Sequence, residues 1–316
     1  MYNYRMYGMR IVSDREIFQL LTEERALKLD ASEGVQNSEL PIVYIQKGVT
    51  DEMKMRDKDG AQWGIDSTDS WISNKTAWIN VLNGERICYE LKPEGVDSKL
   101  NSYLLGFGMA LIALQKKILP IHSSGIMKGN NAILISGDSG AGKSSLTAAY
   151  IENGFDLMAD DVTYIKKGED DMPFAYPAFP YQKLCRNEVE KRHQGEEGLV
   201  YIGEEKDKFL VPWKGNYTAG SRPLKAIIFM SKYKGDELKI DELKGFEKYL
   251  VLGRSLFMLA LLGDMVYQKD IGENVMWLAS KVPVIGVLRP ESADTLAQIT
   301  EKTMEMVEKY LDKQTD

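Results

Sequence analysis

Two short, mostly apolar runs in the first hundred residues are separated by an Asn-Gly pair. The runs cover residues 76–82 and 85–91, on either side of Asn83-Gly84. Asn-Gly favours the type I′ turn that joins two antiparallel strands. Together with the apolar residues 43–45, this pattern predicts a small, mainly β N-terminal domain over residues 1–97.

Apolar residues then recur at helical spacing. They are Leu100, Tyr103, Leu104, Phe107, Leu111 and Leu114. The spacing predicts a helix over about 98–117, within a linking segment at 98–118. The apolar stretch 103–114 is too short to span a bilayer, so we expect it to be buried in the protein.

From residue 119 onward the pattern alternates between strand and helix. Continuous apolar runs at 131–136, 155–165, 224–231 and 282–288 predict buried strands. Helices are predicted from Lys143 to the Asn153-Gly154 pair and over 293–313. Residues 119–316 are therefore predicted to form a larger α/β domain, in which the segment 166–220 gives the weakest pattern.

Composition excludes several classes of protein. The 316 residues are 44% hydrophobic and 28% charged, which is typical of a soluble globular protein. The formal net charge of −7 argues against a general nucleic-acid binder. The two cysteines, Cys88 and Cys185, form no metal-binding spacing and no disulfide framework. With no signal-peptide pattern at the N-terminus, we expect a cytoplasmic protein that binds neither membranes nor nucleic acid.

One motif carries a specific chemistry. Residues 137–144 read Gly-Asp-Ser-Gly-Ala-Gly-Lys-Ser and match the phosphate-loop pattern G-x-x-x-x-G-K-[ST] between a predicted strand and a predicted helix. In such a loop Lys143 reaches the β- and γ-phosphates and the Ser144 hydroxyl coordinates Mg²⁺. The predicted nucleotide contacts are Gly137, Asp138, Ser139, Gly140, Ala141, Gly142, Lys143, Ser144 and Ser145.

An acidic pair and a histidine extend this site. Asp160 and Asp161 end an apolar stretch 23 residues after Gly137. Two adjacent aspartates on a strand face opposite sides unless the backbone turns, so we assign them different roles. Asp160 is the predicted metal ligand and Asp161 the predicted base, although these roles are exchangeable. His122 is a third candidate, if its strand runs beside the strand that precedes the loop.

The order of these elements resembles the catalytic core of the HPr kinase/phosphorylase family. The resemblance rests on His122, on 137–145, and on Gly-Phe-Asp-Leu-Met-Ala-Asp-Asp at 154–161. It implies an α/β fold with a P-loop core, related to that of phosphoenolpyruvate carboxykinases, in which a mixed sheet is flanked by helices. It also implies ATP and Mg²⁺ as cofactors, catalytic roles for His122, Lys143, Asp160 and Asp161, and a homo-oligomer.

The sequence departs from that family in one respect and points to a subgroup in another. No Glu-x-Arg-Gly segment follows the carboxylate pair, which puts phosphorolysis and HPr itself as the substrate in doubt. Residues 4–13 look more like the HPr-kinase-like proteins of peptide-modification systems, some of which phosphorylate a serine of a precursor peptide. The expected partner is a serine-bearing peptide or protein.

Several functions stay open from sequence. The leading prediction is a kinase that phosphorylates a serine-type hydroxyl of a peptide or protein, and a kinase for a small-molecule hydroxyl is a variant of it. A regulatory nucleotide-binding module, or a slow ATPase, would need the loop but no base. A decarboxylating carboxykinase would need more histidine and lysine ligands than the chain offers. Arg254, predicted to open an apolar helix at 256–262, is a further candidate for stabilising phosphoryl charge.

Overall fold

The computed structural model describes residues 1–32, 40–58, 62–168, 170–193, 199–202, 207–258 and 268–311. Their contacts divide them into two compact units. Described residues of the first unit lie within Met1–Ile118, Phe179–Trp213 and Ala260–Ile271, and those of the second within Leu119–Ala178, Lys214–Leu259 and Gly272–Asp316. None of the described helices combines the length and apolar composition that a bilayer crossing requires.

The described strands and helices follow one another along the chain in a mixed α/β order. They are β1 (Tyr2–Met6), β2 (Met9–Ser13), β3 (Leu21–Thr22), α1 (Glu23–Ser32), β4 (Ile42–Lys47), α2 (Asp51–Lys58), β5 (Trp63–Gly64), β6 (Asp69–Ser73), β7 (Ala77–Leu82), β8 (Arg86–Leu91), α3 (Asp97–Tyr103), a π-helical turn (Leu104–Gly108), α4 (Met109–Gln115), β9 (Leu119–Lys128), β10 (Asn131–Gly137), α5 (Lys143–Glu152), β11 (Asp156–Ala159), β12 (Val162–Lys167), β13 (Pro173–Tyr176), β14 (Tyr181–Cys185), α6 (Arg186–His193), β15 (Val200–Tyr201), β16 (Lys208–Pro212), β17 (Arg222–Tyr233), β18 (Lys239–Glu242), α7 (Gly245–Arg254), α8 (Gln268–Lys281), β19 (Val284–Pro290) and α9 (Leu296–Leu311).

The first unit contains a sheet in the order β3-β1-β2-β4-β8-β7-β6-β5. Its hairpin β7–β8 turns at Asn83-Gly84, where both residues have positive φ, 53° and 64°. This is the backbone of a type I′ turn, so the hairpin predicted from the Asn-Gly pair is confirmed. The apolar residues at 43–45 lie in β4, as predicted.

The predicted helix at 98–117 is also present in the first unit, with one irregularity. It runs from Asp97 to Gln115, and its middle turn, Leu104–Gly108, is π-helical. Residues 109–114 are all buried, as expected for an apolar stretch too short to cross a bilayer.

A small three-stranded sheet, in the order β14-β16-β15, comes from the segment whose pattern was weakest. The sheet and α6 enclose a separate apolar cluster made of Leu184, Val189, Phe209 and Val211. By contacts the described residues within Phe179–Trp213, which include this sheet, group with the first unit, and the rest of the segment groups with the second.

The second unit is built on a mixed sheet in the order β10-β9-β12-β13-β17-β19-β18, with β11 paired to β9 and β10 also paired to β17. Strands β10, β17 and β19 are parallel to one another, and the other pairings are antiparallel. Helices α5 and α9 pack on this sheet through a buried core, in which the Tyr150 hydroxyl donates to Thr303 Oγ1 over 3.0 Å. The strand and helix predicted on either side of the glycine-rich motif are confirmed as β10 and α5.

Candidate active site

A glycine-rich loop joins the end of β10 to the start of α5. Its glycines at 137, 140 and 142 have φ of 140°, 75° and 103°, a region that suits residues without a side chain. At Gly137 a side chain is also excluded by space, because a Cβ there would lie 2.1 Å from the Met230 carbonyl oxygen. The Asp138 N–H donates to that oxygen over 2.9 Å, which holds the loop against β17.

Lys143, the first residue of α5, turns back into this loop. Its Nζ donates to the carbonyl oxygens of Gly137 over 2.8 Å and Asp138 over 3.3 Å. Ser144 is exposed in the same helical turn and Ser145 is half-buried. The ammonium group and the positive end of the helix dipole therefore lie at the same loop, an arrangement that suits phosphate.

Arg254 lies beside the loop. Its Nη2 donates to Asp138 Oδ1 over 2.5 Å, and the Ser231 hydroxyl donates to Asp138 Oδ2 over 2.9 Å. The prediction that Arg254 opens a helix is wrong: it ends α7, because residues 255–258 form turns and a bridge. The remainder of that predicted helix, 259–262, lies outside the described residues. The guanidinium is nevertheless close to the loop, so its role towards phosphate stays a prediction.

Arg289 is a second arginine at the loop, and it was not predicted. Its Nε donates to the Ala141 carbonyl oxygen over 2.8 Å and its Nη2 to that of Gly140 over 3.4 Å. The residue lies near the end of β19, which is parallel to β17, and β17 is parallel to β10. Carboxyl ends of parallel strands share one edge of a sheet, where ligands of α/β proteins bind. A charged residue ending an apolar strand is the signal that could have identified it.

The acidic pair sits at a break between two strands. The single strand predicted over 155–165 is wrong, because β11 ends at Ala159 and β12 begins at Val162. Asp161 has φ of +73°, which turns the backbone and interrupts the extended chain. Ser124 on β9 donates to Asp160 Oδ1 over 3.0 Å. The two aspartates thus occupy a turn rather than opposite faces of a strand.

His122 on β9 contacts this turn. Its strand pairs with β10 and with β12, where Val162 is its partner, so the expected neighbouring strand is confirmed. The His122 Nδ1 lies 3.0 Å from the Asp161 carbonyl oxygen and 3.7 Å from Asp161 Oδ1. Because a carbonyl oxygen only accepts hydrogen bonds, Nδ1 carries the proton, and in the neutral ring Nε2 is left as an acceptor.

The charges around His122 link the parts of the site. Partial burial of the ring, whose side chain is 40% exposed, lowers the His122 pKa below its ordinary value, the Asp161 carboxylate opposes this, and the Lys143 ammonium adds to the lowering. The Asp160 carboxylate, like that of Asp161, acts to raise the His122 pKa. The structure therefore brings His122, Lys143 and both aspartates into one electrostatic neighbourhood, while their roles stay predictions.

The donor set around the loop fits a magnesium ion that is bound mainly by nucleotide phosphates. The described residues contain no group of three or more His, Cys, Asp or Glu side chains that could hold a metal by themselves. Mg²⁺ with a nucleotide needs fewer protein ligands, because phosphates and water complete its octahedron. Ser144 in the exposed first turn of α5 and the partly exposed Asp160 supply a hydroxyl and a carboxylate of the required types.

The titration of His122 provides a test of this geometry. We expect its midpoint below the ordinary value of about 6.5, because burial disfavours the charged ring. The unfolded chain then binds this proton more readily than the folded protein. The contribution of His122 to the free energy of unfolding is therefore fully present above the ordinary pKa and is lost as the pH falls through the folded-state pKa.

Ring-proton NMR can measure this midpoint, because the chain has only two histidines. In His193→Gln the remaining signal belongs to His122, and His122→Gln identifies it by its disappearance. A midpoint above about 6.5 would mean that the Asp161 carboxylate outweighs burial, and would contradict the environment described above.

Comparisons with known proteins give little beyond this geometry. No protein-family model matches the sequence, and no curated protein sequence matches it. Among solved structures, the chain is similar to the Hpr(Ser) kinase/phosphatase from Coxiella burnetii at 13% sequence identity and a TM-score of 0.30. The similarity covers 61% of this chain and 94% of the other. A TM-score this low supports no conclusion about activity.

Proposed function

We propose that this protein is an ATP- and Mg²⁺-dependent kinase that transfers the γ-phosphate to a serine-type hydroxyl of a peptide or protein. The observation that carries the proposal is the contact of His122 with Asp161 beside the loop that Lys143 closes. A site that only binds nucleotide needs the loop, whereas proton removal from an acceptor also needs a base. The Asp161 carboxylate would be that base, and it lies 3.7 Å from His122 Nδ1 in the turn that His122 contacts by its hydrogen bond.

The nucleotide would be held by the glycine-rich loop. The backbone N–H groups of Gly140 and Gly142, the Lys143 ammonium and the start of α5 are suited to the β- and γ-phosphates. Ser144 and Asp160 would hold Mg²⁺, which when bound offsets the negative charge of those phosphates. The Lys143 ammonium donates to two carbonyl oxygens of the loop. When nucleotide binds, phosphate oxygens would take the place of these carbonyl oxygens as its acceptors.

Asp161 would act as the base. As the acceptor oxygen bonds to the γ-phosphorus, the bond from that phosphorus to the bridging oxygen breaks and ADP leaves. The hydroxyl proton passes to the Asp161 carboxylate. His122 acts by position, because the hydrogen bond from its Nδ1 to the Asp161 carbonyl oxygen fixes the turn that carries this carboxylate.

A transfer assay with γ-labelled ATP and Mg²⁺ tests the proposal. The acceptors are serine-bearing peptides encoded beside the gene, HPr, and free serine. We expect label to be transferred to a peptide or protein, and we expect mass spectrometry to locate the phosphate on a serine. Label in free serine alone would indicate a small-molecule kinase, and ATP binding without transfer to any acceptor would favour a regulatory module or a slow ATPase.

A further inference from the structure

The Asp138 carboxylate, on the second residue of the glycine-rich loop, accepts a hydrogen bond on each of its oxygens. Oδ1 accepts from Arg254 Nη2 over 2.5 Å, and Oδ2 accepts from the Ser231 hydroxyl over 2.9 Å. The backbone N–H of Asp138 also donates to the Met230 carbonyl oxygen, and all four residues belong to the second unit. The side chain and the backbone of Asp138 are therefore both held near the end of β17.

A carboxylate in this loop is unfavourable for the ligand that the loop is proposed to hold, because like charges repel and phosphates are negative. Its ion pair with Arg254 does not offset this through stability. The side chains of Asp138 and Arg254 are 35% and 54% exposed, and pairs this exposed contribute little to the free energy of unfolding. The larger effect of Asp138 is therefore on where the Arg254 guanidinium lies.

The Arg254 guanidinium is held in place while most of its donors stay available. It lies over the Phe229 ring, 5.5 Å from the ring centroid, and its Nη2 donates to Asp138. Its other N–H groups donate to none of the residues that the structure describes. Since a guanidinium carries five N–H donors in a rigid plane, one anchored nitrogen fixes the direction of the rest. These are the donors that a phosphate would use.

The backbone beside Arg254 is attached to the strand that carries His122. Helix α7 ends at Arg254, and the carbonyl oxygen of the next residue, Ser255, accepts from the His122 N–H over 2.6 Å. His122 in turn contacts the turn that carries Asp161. Arg254 therefore starts beside the acidic turn and ends at the glycine-rich loop, the two parts between which a phosphate would be transferred.

We propose that Asp138 and Ser231 are positioning residues, which hold the Arg254 guanidinium ready for the phosphate that is transferred. The Asp138 carboxylate sets the direction of the guanidinium, and the Ser231 hydroxyl holds the carboxylate. The inference rests on the proposed function, because it requires phosphate transfer from a nucleotide in the loop. It adds that an acidic residue within this loop promotes transfer and does not promote nucleotide affinity.

Asp138→Ala separates transfer from binding, because it removes both acceptor oxygens. Asp138 has no positive φ, so alanine suits its backbone. At saturating ATP, single-turnover transfer should slow by about 10- to 100-fold, since displacement of a catalytic group by about 1 Å costs on the order of 10²-fold. The affinity for ATP, measured by calorimetry, should equal that of wild type or be tighter, because the loop loses a negative charge. A structural defect would instead weaken ATP binding as well.

Asp97→Ala is the matched control. Asp97 accepts two hydrogen bonds from Arg15 at the surface of the first unit, so this variant also breaks an exposed pair of an aspartate and an arginine. We expect its rate of transfer and its affinity for ATP to be close to those of wild type.

Two further variants test the chain of contacts. Asp138→Ala should slow transfer no further in a protein that already carries Arg254→Met, because residues that act through one another are not additive. Ser231→Ala should slow transfer several-fold, whereas Ser231→Thr keeps the hydroxyl and should restore most of the rate. Equal rates for these two variants would remove Ser231 from the proposal.

The outcomes separate this inference from the proposed function. Transfer by Asp138→Ala at the wild-type rate would overturn the inference and leave the proposed kinase standing. Equal slowing by Asp138→Ala with and without Arg254 would do the same, because Asp138 would then act by another route. Absence of transfer from wild type to every acceptor would overturn both.

Discussion

Replacement of Asp161 by asparagine is expected to slow phosphate transfer by about 10²- to 10⁴-fold, the range that a general base contributes. Nucleotide binding should persist, because the glycine-rich loop and Lys143 are unchanged. The amide of asparagine has nearly the shape of the carboxylate but cannot accept the hydroxyl proton at neutral pH. Single-turnover transfer of the γ-phosphate, measured beside the affinity for ATP, separates the two effects.

The substitution is conservative for the backbone as well. Asp161 has φ of +73°, and asparagine is among the residues that tolerate positive φ, whereas alanine would add strain. The Asp161 carbonyl oxygen that accepts from the His122 Nδ1 is also retained. A loss of activity in this variant therefore reflects the carboxylate and not a collapsed turn.

Asp171→Asn is a matched control. Asp171 has φ of +60°, and its side chain is about half exposed. Asp171→Asn therefore makes the same change of charge as Asp161→Asn on a similar backbone. Its ion pairs with Lys281 and Lys167 lie at the surface, where such pairs contribute little. We expect transfer and stability close to wild type.

Asp160→Asn decides between the two aspartates. If Asp160 is the metal ligand, its loss should raise the Mg²⁺ concentration required, and added Mg²⁺ should restore part of the activity. Recovery by Mg²⁺ in Asp161→Asn instead would exchange the two roles. Normal transfer by Asp161→Asn would remove Asp161 as the base.

Local sequence was sufficient for the elements whose signals are local. The Asn83-Gly84 turn follows from two adjacent residues that adopt positive φ, and the glycine-rich loop follows from an eight-residue motif between an apolar strand and a helix. In both cases the residues that specify the geometry are the residues that adopt it. This is why their predicted bounds agree with β7, β8, β10 and α5.

Features that depend on distant pairing could not be predicted in the same way. Arg254 and Arg289 reach the loop from 116 and 148 residues along the chain. Their positions follow from the fold of the second unit, including the parallel pairing of β10, β17 and β19. The break at Asp161 escaped prediction for another reason, since aspartate is compatible with both a strand end and a positive φ. Nothing in the apolar run before it distinguishes the two.

Replacement of Lys143 by methionine is expected to weaken ATP binding and to reduce transfer by at least about 10²- to 10³-fold, the effect of removing one preorganised electrostatic contact. Methionine keeps most of the apolar stem and removes the charge. Lys143→Arg should also be impaired, because a planar guanidinium does not replace a compact ammonium that donates to the carbonyl oxygens of Gly137 and Asp138. Lys302→Met, on the exposed face of α9, is the control and should behave as wild type.

The His122 titration gives Lys143→Met a second readout that does not depend on activity. The Lys143 ammonium lowers the His122 pKa, so its removal should raise the NMR midpoint relative to wild type, and Lys302→Met should leave that midpoint unchanged. Loss of ATP binding together with a raised midpoint would mean that Lys143 holds phosphate beside His122 and the acidic turn. A variant that binds ATP as tightly as wild type would show that phosphates bind elsewhere, and an unchanged midpoint would separate the loop from the carboxylates. Either result would contradict the proposal that the glycine-rich loop and the carboxylates form one site, which transfer to a hydroxyl requires.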